Sequence, residues 1–516
     1  MRSARRLRIR TRLRSAPEPE VGCIRWARPG AAPVLPQAGG ADYNAAVARL
    51  FLINPPTDET VRTPLLSFMY LGAALRRAGH QVALLDCSAP FAPRDHAEIV
   101  ERALAFGPDL IGLHCKTLYA QDTYALAKSF EHKGIPLVCG GPHPTVAPLE
   151  PLAHGFHYSV RGEGEETLAE LCDALDGKRE LSSVRSLAWR SGQGGLELNR
   201  SRGFLLDLDG LASPVDALDL FDPRWYGARK TVAPSGLLAS RGCPAACTFC
   251  SNNVTGRRFR YRSAAAIAGE IRALRERTDF IAFSFFDDSF AVGRRRMLEL
   301  CDALAGLGTA WTCTAHPSHL DRDILLRMKQ AGCAGVDIGM ESGAPEMLLR
   351  IGKGVTVERV LEVLADARAV GLHCMLNLMF GWPGETLAEL KTTVDFIERA
   401  APLAAAFNAR GVLVPYPGTQ IYDENHARCG FTEWWLREPP LKYRPFPSSW
   451  DRDEVKRAYA DDAALVRNYF RHSPAHLELM QEGLQRKADA TYRKISVAVA
   501  PGWEPSKPAL PAAGAR

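Results

Sequence analysis

The stretch Ser240–Cys250, SRGCPAACTFC, places three cysteines, Cys243, Cys247 and Cys250, in one short loop. A structural zinc ion would need a fourth ligand, but the twenty residues that follow contain no Cys or His. A disulfide would use only two of the thiols. Three thiolates suit a [4Fe–4S] cluster, because three irons each take one cysteine and the fourth stays open to a small molecule. The triplet therefore predicts such a cluster.

Outward from this loop, the sequence alternates short apolar runs with amphipathic helices. Six strands are predicted in residues 235–419: GLLASRG, IAFSFFDDSF, AWTCTAHP, GVDIGMES, HCMLNLMFGWPG and AFNARGVLVPYPG. Six β/α units predict a partial (β/α)6 barrel whose functional residues follow the C-terminal ends of the strands. The cysteine triplet follows the first of these strands.

A second alternating series precedes the barrel. Residues 46–178 contain five strands separated by helices, which predicts a parallel, flavodoxin-like (Rossmann-type) doubly wound sheet in an α/β protein. Residues 179–234 are predicted as a hairpin and linker, and residues 420–500 as a helical and aromatic extension. We expect Trp434, Trp435, Tyr443, Phe446 and Trp450 in this extension to plug the open side of the barrel rather than to line a substrate site. Residues 1–45 and 501–516 are predicted as disordered tails.

The composition excludes several classes of protein. The 516 residues are 46% hydrophobic and 24% charged, and no apolar run is long enough for a membrane helix. The net charge is +6, but seven arginines lie in the first fifteen residues, so the rest carries −1 and predicts no nucleic-acid partner. No apolar segment of a secretory signal follows these arginines. The cysteines outside the triplet are scattered, as in a reducing compartment, so we expect a cytoplasmic protein.

The CxxxCxxC spacing, on a loop after the first barrel strand, resembles the signature of the radical S-adenosylmethionine (SAM) enzymes. In that family the open iron chelates the amino and carboxylate groups of SAM. An electron from the reduced cluster, supplied by a partner such as flavodoxin or ferredoxin, splits SAM into methionine and a 5′-deoxyadenosyl radical. The resemblance covers about residues 235–419.

Further motifs occur in the order found in this family. FFDDS would hold the methionyl amine of SAM, IGMESG its ribose, FGWPGET its adenine, and an aromatic residue precedes the third cysteine. Each motif alone could also be a helix cap or a turn between a strand and a helix. The SAM-binding residues that the resemblance implies are Phe249, Asp287, Asp288, Glu341, Ser342 and Glu385.

The N-terminal sheet resembles the cobalamin-binding domain that precedes many radical SAM barrels. Its loops CKTLY and GGPHPT follow the third and fourth strands, and they imply cofactor contacts from Thr117, Gly140, Gly141 and His143. Relatives that place a histidine on cobalt carry DxHxxG after the first strand, whereas this loop reads NPPTDETVRTP. The resemblance therefore implies cobalamin without a protein histidine on cobalt. His143 would orient its loop or touch the nucleotide tail.

The function that this resemblance implies is a cobalamin-dependent radical SAM methyltransferase. It would act on an unactivated carbon or phosphorus centre of a small molecule, with methylcobalamin as the methyl donor and a second SAM remethylating cobalt. We expect the C-terminal strand ends of the two domains to face each other, with substrate between them. The same architecture also supports a cyclase, an oxidase or a rearrangement enzyme.

Two alternative functions, from other classes of protein, remain open. A tRNA methylthiotransferase needs a second cysteine trio in its first domain, whereas Cys87, Cys115 and Cys139 end separate predicted strands. A non-enzymatic iron–sulfur or cobalamin carrier would not need the three SAM-binding motifs.

Overall fold

The computed structural model describes residues 48–498, except 59–60, 62, 192–193, 228–233, 235, 279, 281, 409 and 445–451. The predicted tails, 1–45 and 501–516, lie outside the described residues, as do Phe446 and Trp450.

The N-terminal domain is built on a seven-stranded sheet with the order β2-β1-β3-β4-β5-β6-β7. Its strands are β1 Arg49–Asn54, β2 Gln81–Asp86, β3 Leu110–His114, β4 Leu137–Gly140, β5 Tyr158–Val160, β6 Leu187–Arg190 and β7 Leu196–Leu198. The first five are parallel, and their 2-1-3-4-5 order is that of flavodoxin-like proteins, as predicted. β1 and β3 are almost wholly buried because helices cover both faces.

The helices of this domain alternate with its parallel strands. They are α1 Leu66–Arg77, α2 His96–Ala105, α3 Ala120–Lys128, α4 Pro142–Val146, α5 Glu150–Ala153 and α6 Glu165–Leu175, with 3-10 turns at Thr117–Tyr119, Leu181–Ser183, Pro214–Leu220 and Pro223–Tyr226. The predicted hairpin at residues 179–234 forms β6 and β7, which add to β5 in antiparallel fashion. They supply hydrogen-bond partners to an edge that β5 would otherwise expose.

The second domain contains a six-stranded parallel sheet with the order β15-β14-β13-β12-β11-β8. Its strands are β8 Gly236–Leu237, β11 Ala282–Phe285, β12 Ala310–Ala315, β13 Cys333–Glu341, β14 His373–Leu378 and β15 Ala406–Phe407. The helices are α7 Ala264–Arg277, α8 Arg294–Leu304, α9 Arg322–Gln330, α10 Pro345–Arg350, α11 Val357–Ala369 and α12 Leu387–Ala400, with a 3-10 turn at Pro317–His319. β8 and β15 are not paired in the described part of the chain, so the sheet is a partial barrel, as predicted.

A small antiparallel ribbon interrupts the barrel after its first strand. β9 Ser240–Arg241 pairs with β10 Arg260–Tyr261, and the cysteine loop runs between them. The ribbon therefore fixes both ends of the loop that carries Cys243, Cys247 and Cys250.

The C-terminal extension consists of α13 Gln420–Cys429, α14 Trp434–Arg437, α15 Arg452–Ala460, α16 Ala463–Arg467 and α17 Pro474–Ala498. The side chain of Lys487 in α17 is fully buried, and its Nζ donates a hydrogen bond of 3.0 Å to the carbonyl oxygen of Leu378 at the end of β14. In the described residues, α17 therefore covers the side of the barrel next to β14.

The aromatic segment lies elsewhere. Trp434 and Trp435 are buried in the apolar core on the α3 side of the N-terminal sheet, and Trp435 Nε1 donates to Glu150 at 3.1 Å. The expectation that these two tryptophans plug the barrel is therefore wrong. The two tryptophan side chains cover an apolar surface of the N-terminal domain that its own helices leave uncovered.

Candidate active site

The cysteine loop leaves β9 through a tight turn at Gly242, whose φ is +89°. A Cβ at this position would lie 2.3 Å from the carbonyl oxygen of Arg258, so only glycine fits. The Cys243 N–H donates to the Gly256 carbonyl oxygen at 3.1 Å, which draws the two ends of the loop together. On the barrel side, the Thr248 N–H donates to the Ile351 carbonyl oxygen at 3.0 Å. The loop is thus anchored while its cysteines stay free.

The three thiols fit an iron–sulfur cluster better than a single metal ion. Cys243, Cys247 and Cys250 are all unpaired; Cys243 is half-buried, Cys247 is buried and Cys250 is exposed. Within the described ranges, no three His, Cys, Asp or Glu side chains are close enough to hold one ion. The loop offers three thiolates and no fourth Cys or His in the twenty residues that follow, which leaves a tetrahedral zinc site one ligand short, whereas each thiolate can bind a different iron of a [4Fe–4S] cluster.

Asp287 and Asp288, which follow β11, hold the strand and the loop that lead into the cluster site. The Asp287 carboxylate accepts hydrogen bonds from the Ala239 N–H and the Ser240 hydroxyl. Asp288 Oδ2 accepts from the Gly242 N–H at 2.9 Å and from the Thr255 hydroxyl at 2.6 Å. Burial raises the pKa of Asp287 to about 6. Their predicted contact with the SAM amine stays a prediction.

Glu341 forms a buried ion pair with Lys353, at 3.0 Å between Oε1 and Nζ. A Cβ on Gly339 would lie 2.5 Å from this carboxylate oxygen, so the glycine makes room for the pair. Burial opposes the charge of Lys353, but Glu341 and then Cys247 outweigh it and raise the pKa of the ammonium group. The pair therefore places a fixed positive charge beside Cys247 and Cys250.

The strand that carries Glu341 is irregular at this point. The φ of Glu341 is +76°. The pairing of β13 with β14 shifts register between Gly339 and Glu341. Such strained, bulged positions are typical of functional sites. The bulge also turns the next residue away: the Ser342 hydroxyl is fully buried and lies 2.9 Å from that of Thr393 in α12. The structure does not bring Ser342 together with Glu341, and its ribose contact stays a prediction.

The FGWPGET motif and the cysteine loop meet through two aromatic rings. Phe249 packs edge-on against Trp382, with ring centroids 5.2 Å apart. Glu385 lies in the same turn, where its Oε2 accepts from the Gly381 and Trp382 N–H groups at 3.3 and 3.4 Å. Burial raises the pKa of Glu385 to about 7. Its Oε1 is buried and has no hydrogen-bond partner among the described residues.

A cavity of about 380 Å³ lies where the C-terminal strand ends of the two domains meet. Its N-terminal wall is mainly apolar and rich in glycine, and it includes Gly140 and Gly141. Its other wall comes from the second domain, with Arg241, Thr255 and Phe286. A smaller cavity of about 300 Å³ adjoins it below the loop after β1. Walls of this kind admit a large, flat ligand such as cobalamin, so the residues present fit the cofactor.

The other two predicted cobalamin residues lie beneath this surface. His143 is fully buried, with Nδ1 3.1 Å from the Thr117 hydroxyl and Nε2 2.8 Å from Glu150 Oε1. Neither residue lines either cavity. Both ring nitrogens of His143 are occupied, which suits a role in orienting the loop. A direct contact of Thr117 or His143 with the cofactor stays a prediction.

Sequence reasoning missed three residues of the site. His114, at the end of β3, and Phe286, after β11, line both cavities, and Lys353 lies beside the cluster loop. Phe286 is 54% exposed although it follows a buried strand, which its place in FFDDS could have indicated. His114 immediately precedes the CKTLY loop, and Lys353 lies between two glycines in IGKG.

Comparison with known proteins agrees with this geometry. The Radical SAM superfamily model matches residues 237–397, and the B12 binding domain model matches residues 61–172. No helix in the described part of the chain has the length and apolar character of a membrane span.

Two curated relatives and one solved structure extend the likeness over most of the chain. An uncharacterized methyltransferase, PH0819, of Pyrococcus horikoshii is 28% identical over 85% of this chain and 98% of its own length. The anaerobic magnesium-protoporphyrin IX monomethyl ester cyclase of Synechocystis sp. is 30% identical over 64% of this chain and 68% of its own. The fold is shared with the radical SAM methyltransferase TsrM from Kitasatospora setae, whose structure was solved with cobalamin and a [4Fe–4S] cluster bound. The TM-score is 0.60 and the sequence identity is 19%, and the match covers 75% of this chain and 76% of that one.

These findings confirm the predicted fold class and the predicted cofactors, which are a [4Fe–4S] cluster, SAM and cobalamin. A cobalamin domain of flavodoxin-like order precedes a partial barrel with a three-cysteine loop, and both domain models match in that order. The chain belongs to the family of cobalamin-binding radical SAM enzymes.

Proposed function

We propose that the chain is a methyltransferase that acts on an unactivated carbon or phosphorus centre of a small molecule. The observation that carries this proposal is the cavity of about 380 Å³ lined by residues of both domains. Transfer between two cofactors requires them to be held close together around one substrate. The methyltransferase from Pyrococcus horikoshii, which aligns along nearly its whole length, supports the same class.

When bound, the cluster supplies the electron that cleaves SAM, and cobalamin supplies the methyl group. Cys243, Cys247 and Cys250 hold the cluster and leave one iron open. The Lys353 ammonium, fixed by Glu341, offers a hydrogen bond to the methionyl carboxylate of SAM, while Glu341 accepts from a hydroxyl or an ammonium group. Phe249 and Trp382 supply an apolar, aromatic surface for the adenine ring.

The remaining residues hold this arrangement rigid. Asp287 and Asp288 tie the first barrel strand and the cysteine loop to the end of β11. Gly140 and Gly141 keep side chains out of the cavity, so that cobalamin can approach the backbone. Phe286, which projects from the barrel into both cavities, excludes water from the space between the two cofactors.

A cyclase or another radical outcome is the second candidate, because the relative from Synechocystis sp. is a cyclase. The same site would serve either reaction. A tRNA methylthiotransferase is disfavoured, since Cys87, Cys115 and Cys139 are each fully buried in one apolar core, where a second cluster would have no space.

The methyl group can be followed before the substrate is known. Anaerobically reconstituted protein is supplied with reduced cobalamin and with SAM labelled on its methyl carbon. A methyltransferase should produce one S-adenosylhomocysteine for each labelled methyl group recovered with cobalamin, and a Cys243→Ala variant should form no 5′-deoxyadenosine. Production of 5′-deoxyadenosine without any transfer of label would reject methyl transfer in favour of a cyclase or rearrangement.

We further propose that the enzyme works in the cytoplasm with an electron donor such as flavodoxin or ferredoxin. All the cysteines of the described residues are unpaired, as in a reducing compartment. Measurable reduction of the cluster by a purified flavodoxin and its reductase, in place of dithionite, tests this partner.

A further inference from the structure

Four arginines lie where the cysteine loop ends, in the stretch GRRFRYR at residues 256–262. The structure divides them into two pairs. Arg260 and Arg262 are buried, and each is bound to a buried carboxylate, at 2.8 and 2.9 Å. Arg257 and Arg258 are exposed, and neither forms an ion pair with a side chain that the structure describes. The end of the loop therefore carries two uncompensated positive charges.

These two arginines lie directly against the first cysteine of the cluster loop. The carbonyl oxygen of Gly256, the residue bonded to Arg257, accepts the hydrogen bond of the Cys243 N–H at 3.1 Å. The carbonyl oxygen of Arg258 lies over Gly242, where a Cβ would approach it to 2.3 Å. Neither arginine lines either cavity. The two charges thus lie beside a cluster ligand but outside the cobalamin site.

Two other sides of the cysteine loop are occupied. On the barrel side, the Thr248 N–H donates to the Ile351 carbonyl oxygen, and the Thr248 carbonyl oxygen accepts from the Ile421 N–H at 3.1 Å. On the side of the N-terminal domain, Val254 and Thr255 line the cavity of about 380 Å³. The turn at residues 256–258 therefore offers a second protein an approach to the cluster that neither the barrel nor cobalamin blocks.

Exposed apolar side chains border the two arginines. Phe204 is 37% exposed, and its ring lies on the turn, since a Cβ on Gly256 would come within 2.1 Å of it. Leu206, two residues further along that segment, is 60% exposed. We call Phe204, Leu206, Arg257 and Arg258 the arginine patch. A small patch with apolar and charged parts suits a transient redox encounter, because such complexes bury little area and rely on charge to orient the partners.

We propose that the arginine patch is the docking surface for the electron donor, a small acidic protein such as flavodoxin or ferredoxin. The donor loses one electron and the cluster gains it, and no atom is transferred. Two free arginines are too few for a nucleic acid, whose binding sites neutralise many phosphates. The inference rests on the electron donor named in the proposed function, and it does not depend on methyl transfer.

The test follows reduction of the cluster in the reconstituted full-length protein by reduced flavodoxin, recorded by stopped-flow absorbance without substrate. The wild-type rate constant should fall as salt is added, because salt screens the attraction between the two proteins. Arg257→Glu/Arg258→Glu should lower the rate constant at low salt by about tenfold or more and remove most of its salt dependence. Arg257→Lys/Arg258→Lys keeps both charges and should keep the rate.

The matched control is Arg272→Glu/Arg322→Glu, which makes the same change in net charge at exposed residues of α7 and α9. It should retain most of the wild-type rate, because steering depends on where the charge lies. Calorimetric titration with oxidised flavodoxin should show weaker binding only for Arg257→Glu/Arg258→Glu. Iron content and reduction by dithionite, which needs no docking surface, should be the same in all variants and show that the cluster is intact.

The outcomes separate the docking surface from the donor and from the reaction. Equal rates and equal salt dependence in the wild type and in Arg257→Glu/Arg258→Glu would overturn the patch and leave the donor in place. If neither flavodoxin nor ferredoxin reduces the wild-type cluster, the donor and the patch are both rejected. Binding of transfer RNA that the charge reversal abolishes, with unchanged reduction by flavodoxin, would assign the patch to a nucleic acid instead. A failure of methyl transfer with the expected reduction rates would support the patch and reject only the methyltransferase.

Discussion

Glu163, in the loop after β5, and Arg241, at the end of β9, are joined by a hydrogen bond of 2.9 Å between Oε1 and Nη1. Arg260, which pairs with Arg241 across the ribbon, donates to the other oxygen of Glu163 at 2.8 Å. All three side chains are buried. One carboxylate of the cobalamin domain therefore binds both strands of the ribbon that closes the cysteine loop.

Glu163→Gln should destabilise the protein strongly. Breaking a buried ion pair leaves uncompensated charge and costs about 3–5 kcal/mol. Here Arg260 would lose its carboxylate partner, while Arg241 would keep Glu165. Urea unfolding of the cofactor-free protein measures the loss. Glu98→Gln, at the exposed i,i+4 pair with Arg102, is the control and should change the free energy of unfolding by less than about 1 kcal/mol. Similar small changes in both variants would contradict a supporting role for Glu163.

Replacing Cys243, Cys247 or Cys250 singly with alanine should abolish the cluster and SAM cleavage. The reconstituted protein should hold about four irons at this site, because each thiolate binds one iron of the cluster. Iron analysis and 5′-deoxyadenosine formation measure the two effects. Cys429→Ala, at a half-buried cysteine outside the loop, should keep both. Tetrahedral zinc in an active protein would refute the assignment.

Lys353→Met should raise the KM for SAM by about ten- to a hundred-fold, since a hydrogen bond to a charged group contributes about 1.5–3 kcal/mol. Lys353→Arg should recover part of the affinity because it keeps the charge. The control is Lys329→Met, at an exposed lysine of α9. Iron content must be measured in parallel, because an effect that arises only through loss of the cluster would argue against a contact with SAM.

Gly141→Ala should reduce cobalamin retention and lower stability by about 1–3 kcal/mol, because the φ of +117° is strained for alanine and the new Cβ would meet His114. Gly269, an exposed residue of α7 that lines neither cavity, provides the control. A Cβ there has no atom within 4 Å, so Gly269→Ala should keep both properties. Equal retention of cobalamin by the two variants, measured by absorbance after gel filtration, would contradict this view of the cavity wall.

Glu385 should make stability fall as pH rises. Burial raises its pKa from 4.5 to about 7, so between these values the folded protein keeps a proton that the unfolded chain has released. Glu385→Gln removes this titration. The free energy of unfolding of the wild type, relative to the variant, should therefore fall by roughly 1.4 kcal/mol per pH unit across this window. Parallel pH profiles of the two proteins would show that Glu385 ionises normally.

The sequence predicted the parts of the site that depend on spacing along one segment. The three cysteines share a loop, and Gly140 and Gly141 end a strand whose place in the sheet follows from the alternation of strands and helices. His114 could not be found this way. At the end of a buried strand it extends an apolar run, and its contacts with Asn54, sixty residues earlier, and with Gly141 exist only in the folded chain.

Two other features depended on tertiary contacts in the same way. The strict alternation of a strand does not predict the bulge at Glu341, which turns Ser342 towards α12. The aromatic composition of the C-terminal extension indicated burial, but periodicity does not say which surface is covered. The packing of Trp435 on Glu150 became visible only in the folded chain.

That last contact sets an order for synthesis on the ribosome. Glu150 is buried and receives the indole N–H of Trp435, a residue that is translated 285 positions later. Until the C-terminal extension emerges, the nascent cobalamin domain keeps an uncovered apolar flank and a carboxylate without this donor. The first domain to be translated is therefore among the last to be completed, and a premature stop before Trp434 leaves it exposed to proteases and aggregation.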